Sequence, residues 1–123
     1  MNELIIGIGE ILWDKLPDGK RLGGAPANFA WHIAQAGLDS YVVSAIGNDE
    51  EGDEILQALK HKDLHHLLTR TPYPTGSVDV ELDPQGVPRY QIHEQVAWDY
   101  IPFTSQLEAL AARTRAVCFG SLA

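Results

Sequence analysis

Gly23-Gly24-Ala25-Pro26-Ala27-Asn28-Phe29-Ala30 is the stretch on which the fold of this chain turns. Neither glycine carries a Cβ, so the backbone can come close to a ligand or to another strand. Pro26 has φ fixed near the helical value, at what should be the first turn of a helix. Asn28 follows in that turn with an amide that both donates and accepts hydrogen bonds. From Phe29 to Ala36 the residues are mostly apolar, and Ala30, Ile33, Ala34 and Gly37 keep the i, i+3, i+4, i+7 spacing of a buried stripe. A helix over about 26–36 is expected, ended by Gly37 in the left-handed conformation. A close-approach loop that feeds a helix with a polar first turn suits a small, hydroxyl-rich ligand.

Upstream, Leu4 to Leu12 is a nearly continuous apolar run, as in a strand of a parallel sheet buried on both faces. Gly7 and Gly9 begin a dinucleotide-like pattern, but Leu12 stands where the third glycine belongs and the glycines lie inside the strand. They are better explained by close packing of another backbone. Pro17-Asp18-Gly19-Lys20 is a turn signal, so a short hairpin separates the first strand from the glycine loop. Asp14 lies at the exit of the first strand, where α/β folds place their ligand crevice; its bland alternative is a solvated turn residue.

Downstream, Ser40 to Ile46 is a second strand. Asn48 and Glu51 form a capping-box-like start to a second helix, with Ile55, Leu56 and Leu59 inward. Asp49, Glu50 and Glu51 suit the helix dipole and are read as capping rather than catalytic acids. His61, His65 and His66 lack a carboxylate pattern and are read as surface residues rather than a metal site. Thr69 to Thr75, with two prolines, is read as a connection. Ser77 to Leu82 alternates strictly, Asp83-Pro84-Gln85-Gly86 is a turn, and Val87 to His93 returns with Tyr90 and Ile92 on one face. This hairpin, apolar on one face only, should stand outside the main sheet. Ser105 with Glu108 opens a third helix, and Ala116 to Gly120 is another buried-strand run.

The 123 residues fit one domain, 45% of them apolar, which argues against disorder. A net charge of −8 without a Lys/Arg cluster argues against nucleic-acid and anionic-membrane partners. The lone Cys118 makes no internal disulfide. No run has the length of a membrane span and the start does not read as a signal peptide, so a cytoplasmic protein is expected. No phosphate loop of the Walker type and no nucleophile elbow is present. The element order is that of an α/β layer with parallel crossovers and an added flap, which implies a pocket closed by a lid.

The glycine stretch, followed at fixed spacing by Gly37 and Gly47, resembles the N-terminal signature of the ribokinase-like (PfkB) carbohydrate kinases. Gly9-Glu10-Ile11-Leu12-Trp13-Asp14 and Val96-Ala97-Trp98-Asp99-Tyr100-Ile101 resemble its fructokinase branch. The resemblance implies a ribokinase-like three-layer α/β sandwich over residues 1–123, represented by its N-terminal part, with a small β lid from about 13–22 and 76–93. It implies an ATP-dependent kinase, using Mg, that phosphorylates a sugar hydroxymethyl group; ribose, 2-keto-3-deoxygluconate or a nucleoside are the alternatives to fructose. By the same resemblance Asp14 and Asn28 would bind sugar hydroxyls, Gly23 and Gly24 would approach the sugar and hinge the lid, and Tyr90 and Ile92 would face the sugar. A homodimer through the lid hairpin is implied as well. The family's Gly-x-Gly-Asp segment, which carries the catalytic base, does not occur here. No catalytic residue is therefore assigned, and the chain is read as a truncated part, inactive alone. The alternative from another class is a non-catalytic half-domain that binds sugar or dimerises.

Overall fold

The computed structural model describes residues 3–123. In chain order the elements are β1 (Leu4–Ile8), β2 (Leu12–Leu16), β3 (Gly19–Gly23), α1 (Ala25–Gln35), β4 (Asp39–Gly47), α2 (Glu50–His61), β5 (His65–Thr71), β6 (Gly76–Leu82), β7 (Pro88–Ile92), α3 (Ser105–Ala112) and β8 (Thr114–Phe119). A single 3-10 turn, Ala97–Tyr100, precedes α3. The strands form two sheets. One is parallel throughout, in the order β5-β4-β1-β8; the other is mixed, in the order β3-β2-β6-β7.

The parallel sheet is covered on both faces, which is why β1 and β4 read as apolar runs without alternation. Val42 and Ile46 turn to the face where α1 and α2 pack, joining Ala27, Ala30, Ile55 and Leu59. Val43 turns to the other face, with Leu4, Ile6 and the α3 residues Leu107 and Leu110. The result is helices, sheet, helix: the expected three layers. At the end of α1, Gly37 takes φ +87° and the Leu38 amide reaches back to the Ile33 carbonyl at 3.3 Å. This is the left-handed stop expected from the sequence.

Four expectations need correction. The Leu4–Leu12 run is not one strand: it breaks after Ile8 and resumes as β2 in the other sheet. Gly9 makes the break at φ +143°, where a Cβ would lie 2.9 Å from Pro26 Cγ, so the chain bends beneath the first turn of α1. The connection expected at Thr69–Thr75 is in part strand, since β5 pairs in parallel with β4 from Tyr41↔His65 to Gly47↔Thr71. As an edge strand it tolerates the polar residues that hid it. The caps also move by one residue. Asp49, not Asn48, caps α2 by accepting from the Gly52 amide at 2.8 Å, and Thr104, not Ser105, caps α3 through the Leu107 amide at 3.1 Å.

The Ser77–His93 hairpin does stand outside the main sheet. It is joined there by the β2–β3 hairpin, so the two segments expected to form a small β lid make a single four-stranded second sheet.

Candidate functional site

The site begins at the bend between the two sheets. Gly24, at the N-cap of α1, has φ +112°, and a Cβ there would overlap the Glu10 carbonyl oxygen. A Cβ on Gly23 would overlap the Asp14 carboxylate. The glycine pair thus packs the start of α1 against the β1–β2 bend, and the Asp14 carboxylate lies directly against Gly23. One strand earlier, a Cβ on Gly7 would strike the Pro26 carbonyl, the close backbone approach expected for that glycine. Sequence reasoning passed over Glu10, which is 3% exposed and has one carboxylate oxygen, Oε2, without a hydrogen-bond partner. Its only signal was a charge inside an apolar run.

The pairing register of the second sheet sets which side chains share its faces. One rung runs Arg21–Asp14–Val78–Ile92 across the four strands, and two residues further along Leu16 pairs with Gly19 and Val80 with Tyr90. Because side chains alternate along a strand, Asp14, Tyr90 and Ile92 all lie on one face. Leu12, Val78 and Val80 give that face an apolar centre. Asp14, Arg21, Leu16, Val80 and Tyr90 line a cavity of about 460 Å³ on it. Asp14 is half-buried, and desolvation raises its pKa above the ordinary carboxylate value. Arg21, opposite Asp14, reaches the Asp18 carboxylate at 3.5 Å. An acceptor among apolar neighbours, over a cavity of this size, can orient a polyol by its hydroxyls while the rest of the face meets its C–H groups.

Ile92 also borders a second cavity, of about 470 Å³, with His93, Gln95, Trp98, Asp99 and Leu122 at the lid base. His93 Nε2 lies 2.7 Å from Asp79 Oδ2 on the opposite face of the hairpin. Asn28 is not brought to either place. Its exposed side chain lines a third cavity, of about 180 Å³, with Leu22, Trp31, His32 and Lys62. On α1 it falls on the side away from the buried Pro26, Ala27 and Ala30, which spacing alone did not reveal.

Where the two sheets meet, Asp49 accepts from the Thr75 hydroxyl at 2.5 Å and the Thr75 amide at 2.9 Å, besides capping α2. Burial works to raise its pKa, but these donors and the Arg70 charge outweigh it and hold Asp49 below the ordinary value. Burial, aided by the neighbouring His65, lowers the pKa of His66. Among the described residues no group of three or more His, Cys, Asp or Glu could hold a metal ion. No helix among them is long and apolar enough to cross a membrane.

Comparison with known proteins is consistent in all three forms. The family model described as pfkB family carbohydrate kinase matches residues 18–97. A fructokinase of Salmonella typhimurium is 34% identical over 93 residues, which make up 70% of this chain and 30% of that protein. The solved structure of an uncharacterised sugar kinase from Pyrococcus horikoshii, in complex with ATP, superposes with a TM-score of 0.75 at 25% identity, over 94% of this chain and 42% of the other. Fructokinase from Xylella fastidiosa with bound ATP gives 0.81 at 24% identity, over 97% and 39%, a likeness of fold. The chain thus spans well under half the length of the relatives it matches.

Proposed function

The chain belongs to the pfkB family of carbohydrate kinases, and from that premise we propose that it is the sugar-binding and lid part of an ATP-dependent kinase. The enzyme would phosphorylate a hydroxymethyl group of a sugar, fructose first among candidates. The observation that carries this is the lid face on which Asp14 stands beside Val78 and Ile92, near Tyr90, with the glycine loop against its carboxylate. Asp14 accepts hydrogen bonds from sugar hydroxyls, and Tyr90 and Ile92 cover the C–H face of the ring. Gly23 and Gly24 hold the loop close beneath and are the joint between lid and core. Asn28, the other residue expected to bind a sugar hydroxyl, opens on a different cavity, beside Leu22 and Trp31.

Phosphoryl transfer needs a base within reach of the attacking hydroxyl and electrostatic clamping of the phosphates. The described residues hold no cluster fit for Mg, and the sequence has neither a phosphate loop nor the Gly-x-Gly-Asp segment. These residues alone do not supply a site for the metal that accompanies the phosphates. The chain's own part is to bind and orient the sugar and to exclude water above it.

Calorimetric titration of the chain with fructose, ribose and 2-keto-3-deoxygluconate tests this, alongside an ATP-dependent phosphorylation assay. Fructose should bind and Asp14→Ala should abolish binding, with no turnover by residues 1–123 alone. Binding that survives Asp14→Ala removes Asp14 from the site, and turnover by the 123 residues refutes the division of labour. A second role is favoured by the exposed Leu82, Tyr90 and Ile92: the apolar lid face also suits pairing with a second copy through the hairpin.

A further inference from the structure

The lid is anchored at more than its glycine joint. Its two faces differ: Asp14 points to the cavity side, whereas Trp13, Lys15 and Lys20 lie on the other, toward α2. There the Trp13 indole N–H donates to the Glu51 carbonyl at 3.0 Å, Lys15 Nζ lies 3.2 Å from Glu51, and Lys20 Nζ lies 2.7 Å from Glu54. The β6 side is held differently. Thr75, immediately before β6 and 4% exposed, gives its amide and hydroxyl to Asp49, while its Oγ1 accepts from the Gly47 amide at 2.9 Å. Both attachments end on the first two turns of α2.

We propose that the start of α2 is the seat of the lid, and that Asp49 and Thr75 are positioning residues that hold the Asp14-bearing sheet against the α/β layer. The clasp outranks the lysine bridges. Its donors are buried and meet an ionised acceptor, whereas the lysines are partly solvated, and exposed ion pairs contribute little. The carboxylate has two tasks that chemistry can separate. Asn caps a helix about as well as Asp, because its carbonyl oxygen can still accept from the Gly52 amide. Its NH2 group would then face the Thr75 amide, donor against donor. Asp49→Asn therefore keeps the cap and the hydroxyl bond, both of which end on Oδ1, and breaks the amide half of the clasp at Oδ2. Thr75→Val breaks the hydroxyl half, both the bond to Asp49 Oδ1 and the one accepted from the Gly47 amide, without touching the cap, and Thr75→Ser restores the hydroxyl. The proposal draws on the sugar reading only for its consequence, that the clasp sets where Asp14 stands.

Hydrogen exchange of the 123-residue protein without sugar tests it, since local opening appears as faster exchange of a contiguous unit. In Asp49→Asn and in Thr75→Val, amides of β2 and β6 should exchange roughly tenfold faster, while those of β1, α2 and β4, apart from the Gly47 amide that Thr75 Oγ1 itself holds, stay within about twofold. Thr75→Ser should return the lid to the wild-type rate. Unchanged lid exchange in Thr75→Val would overturn the proposal. So would acceleration of lid and parallel sheet together, the mark of an ordinary structural bond. If Asp49→Asn fails to fold, the Thr75 pair decides alone. With no sugar present, failure here leaves the sugar-binding proposal standing, and a chain that binds no sugar leaves this result intact.

Discussion

In the proposed sugar site, Asp14 carries a conflict between folding and binding. Burial raises its pKa, so the folded protein holds that proton more tightly than the unfolded chain does. Stability is therefore lost as pH rises from the ordinary aspartate value through the raised folded one, and stays lost above it. Asp14→Asn should raise the melting temperature at pH 7 and change little at about pH 3, where both states are protonated. The same variant should weaken fructose at least roughly tenfold, the loss expected when a charged acceptor is removed. A drop in melting temperature at neutral pH, by calorimetric scanning, would contradict this account. Asp49 has the opposite sign: its stabilisation is present above the unfolded value and lost as pH falls through its lowered folded one. Both acids stood out in the sequence, Asp14 at an expected exit of the first strand that the structure replaces with the middle of β2, Asp49 as a cap-region charge. The second task of Asp49 was not visible, because Thr75 lies 26 positions away.

Among the elements, the junction of β3 and α1 tolerates least. Gly24→Ala must place a Cβ at φ +112° and into the Glu10 carbonyl, and should cost at least about 2 kcal/mol in thermal or urea unfolding. Gly19→Ala is the control. Its φ is +138°, but no atom lies within 4 Å of the new Cβ, so it bears backbone strain alone and should cost less. Equal losses at the two positions would remove the steric part of the explanation. Helices were legible from their period and β1 and β4 from their apolar runs. Ala116–Gly120, expected to be a buried strand, corresponds instead to the exposed edge strand β8, because an apolar run does not report whether both faces are covered. The edge strand β5 was not legible, because one side of its ladder faces no partner and its residues His65, His66 and Arg70 obey no apolar rule. Cap positions slipped by one because adjacent Asn48 and Asp49 are both able caps, and only geometry tells which oxygen reaches the amide.

At the scale of the whole molecule, β8 lies at the edge of the parallel sheet, with Val117 52% and Phe119 77% exposed. An unpaired strand edge with apolar side chains invites association. Sedimentation of the 123-residue protein should show concentration-dependent self-association, reduced when Val117→Lys and Phe119→Lys are combined. Association unchanged by that pair would point to the Leu82–Tyr90–Ile92 face of the lid instead, and a monomer at every concentration would refute both. From sequence alone came what local pattern encodes: an α/β layer, a glycine loop opening a helix, a two-faced hairpin, and Asp14 as the carboxylate to watch. Tertiary structure decided the rest. It bent one apolar run into two sheets, paired β2 with β6 to make a single second sheet, gathered Asp14, Tyr90 and Ile92 on one face, and left Asn28 on another cavity. Those outcomes depend on pairing and packing between segments far apart in the chain. No local period records which distant strand a ladder will choose.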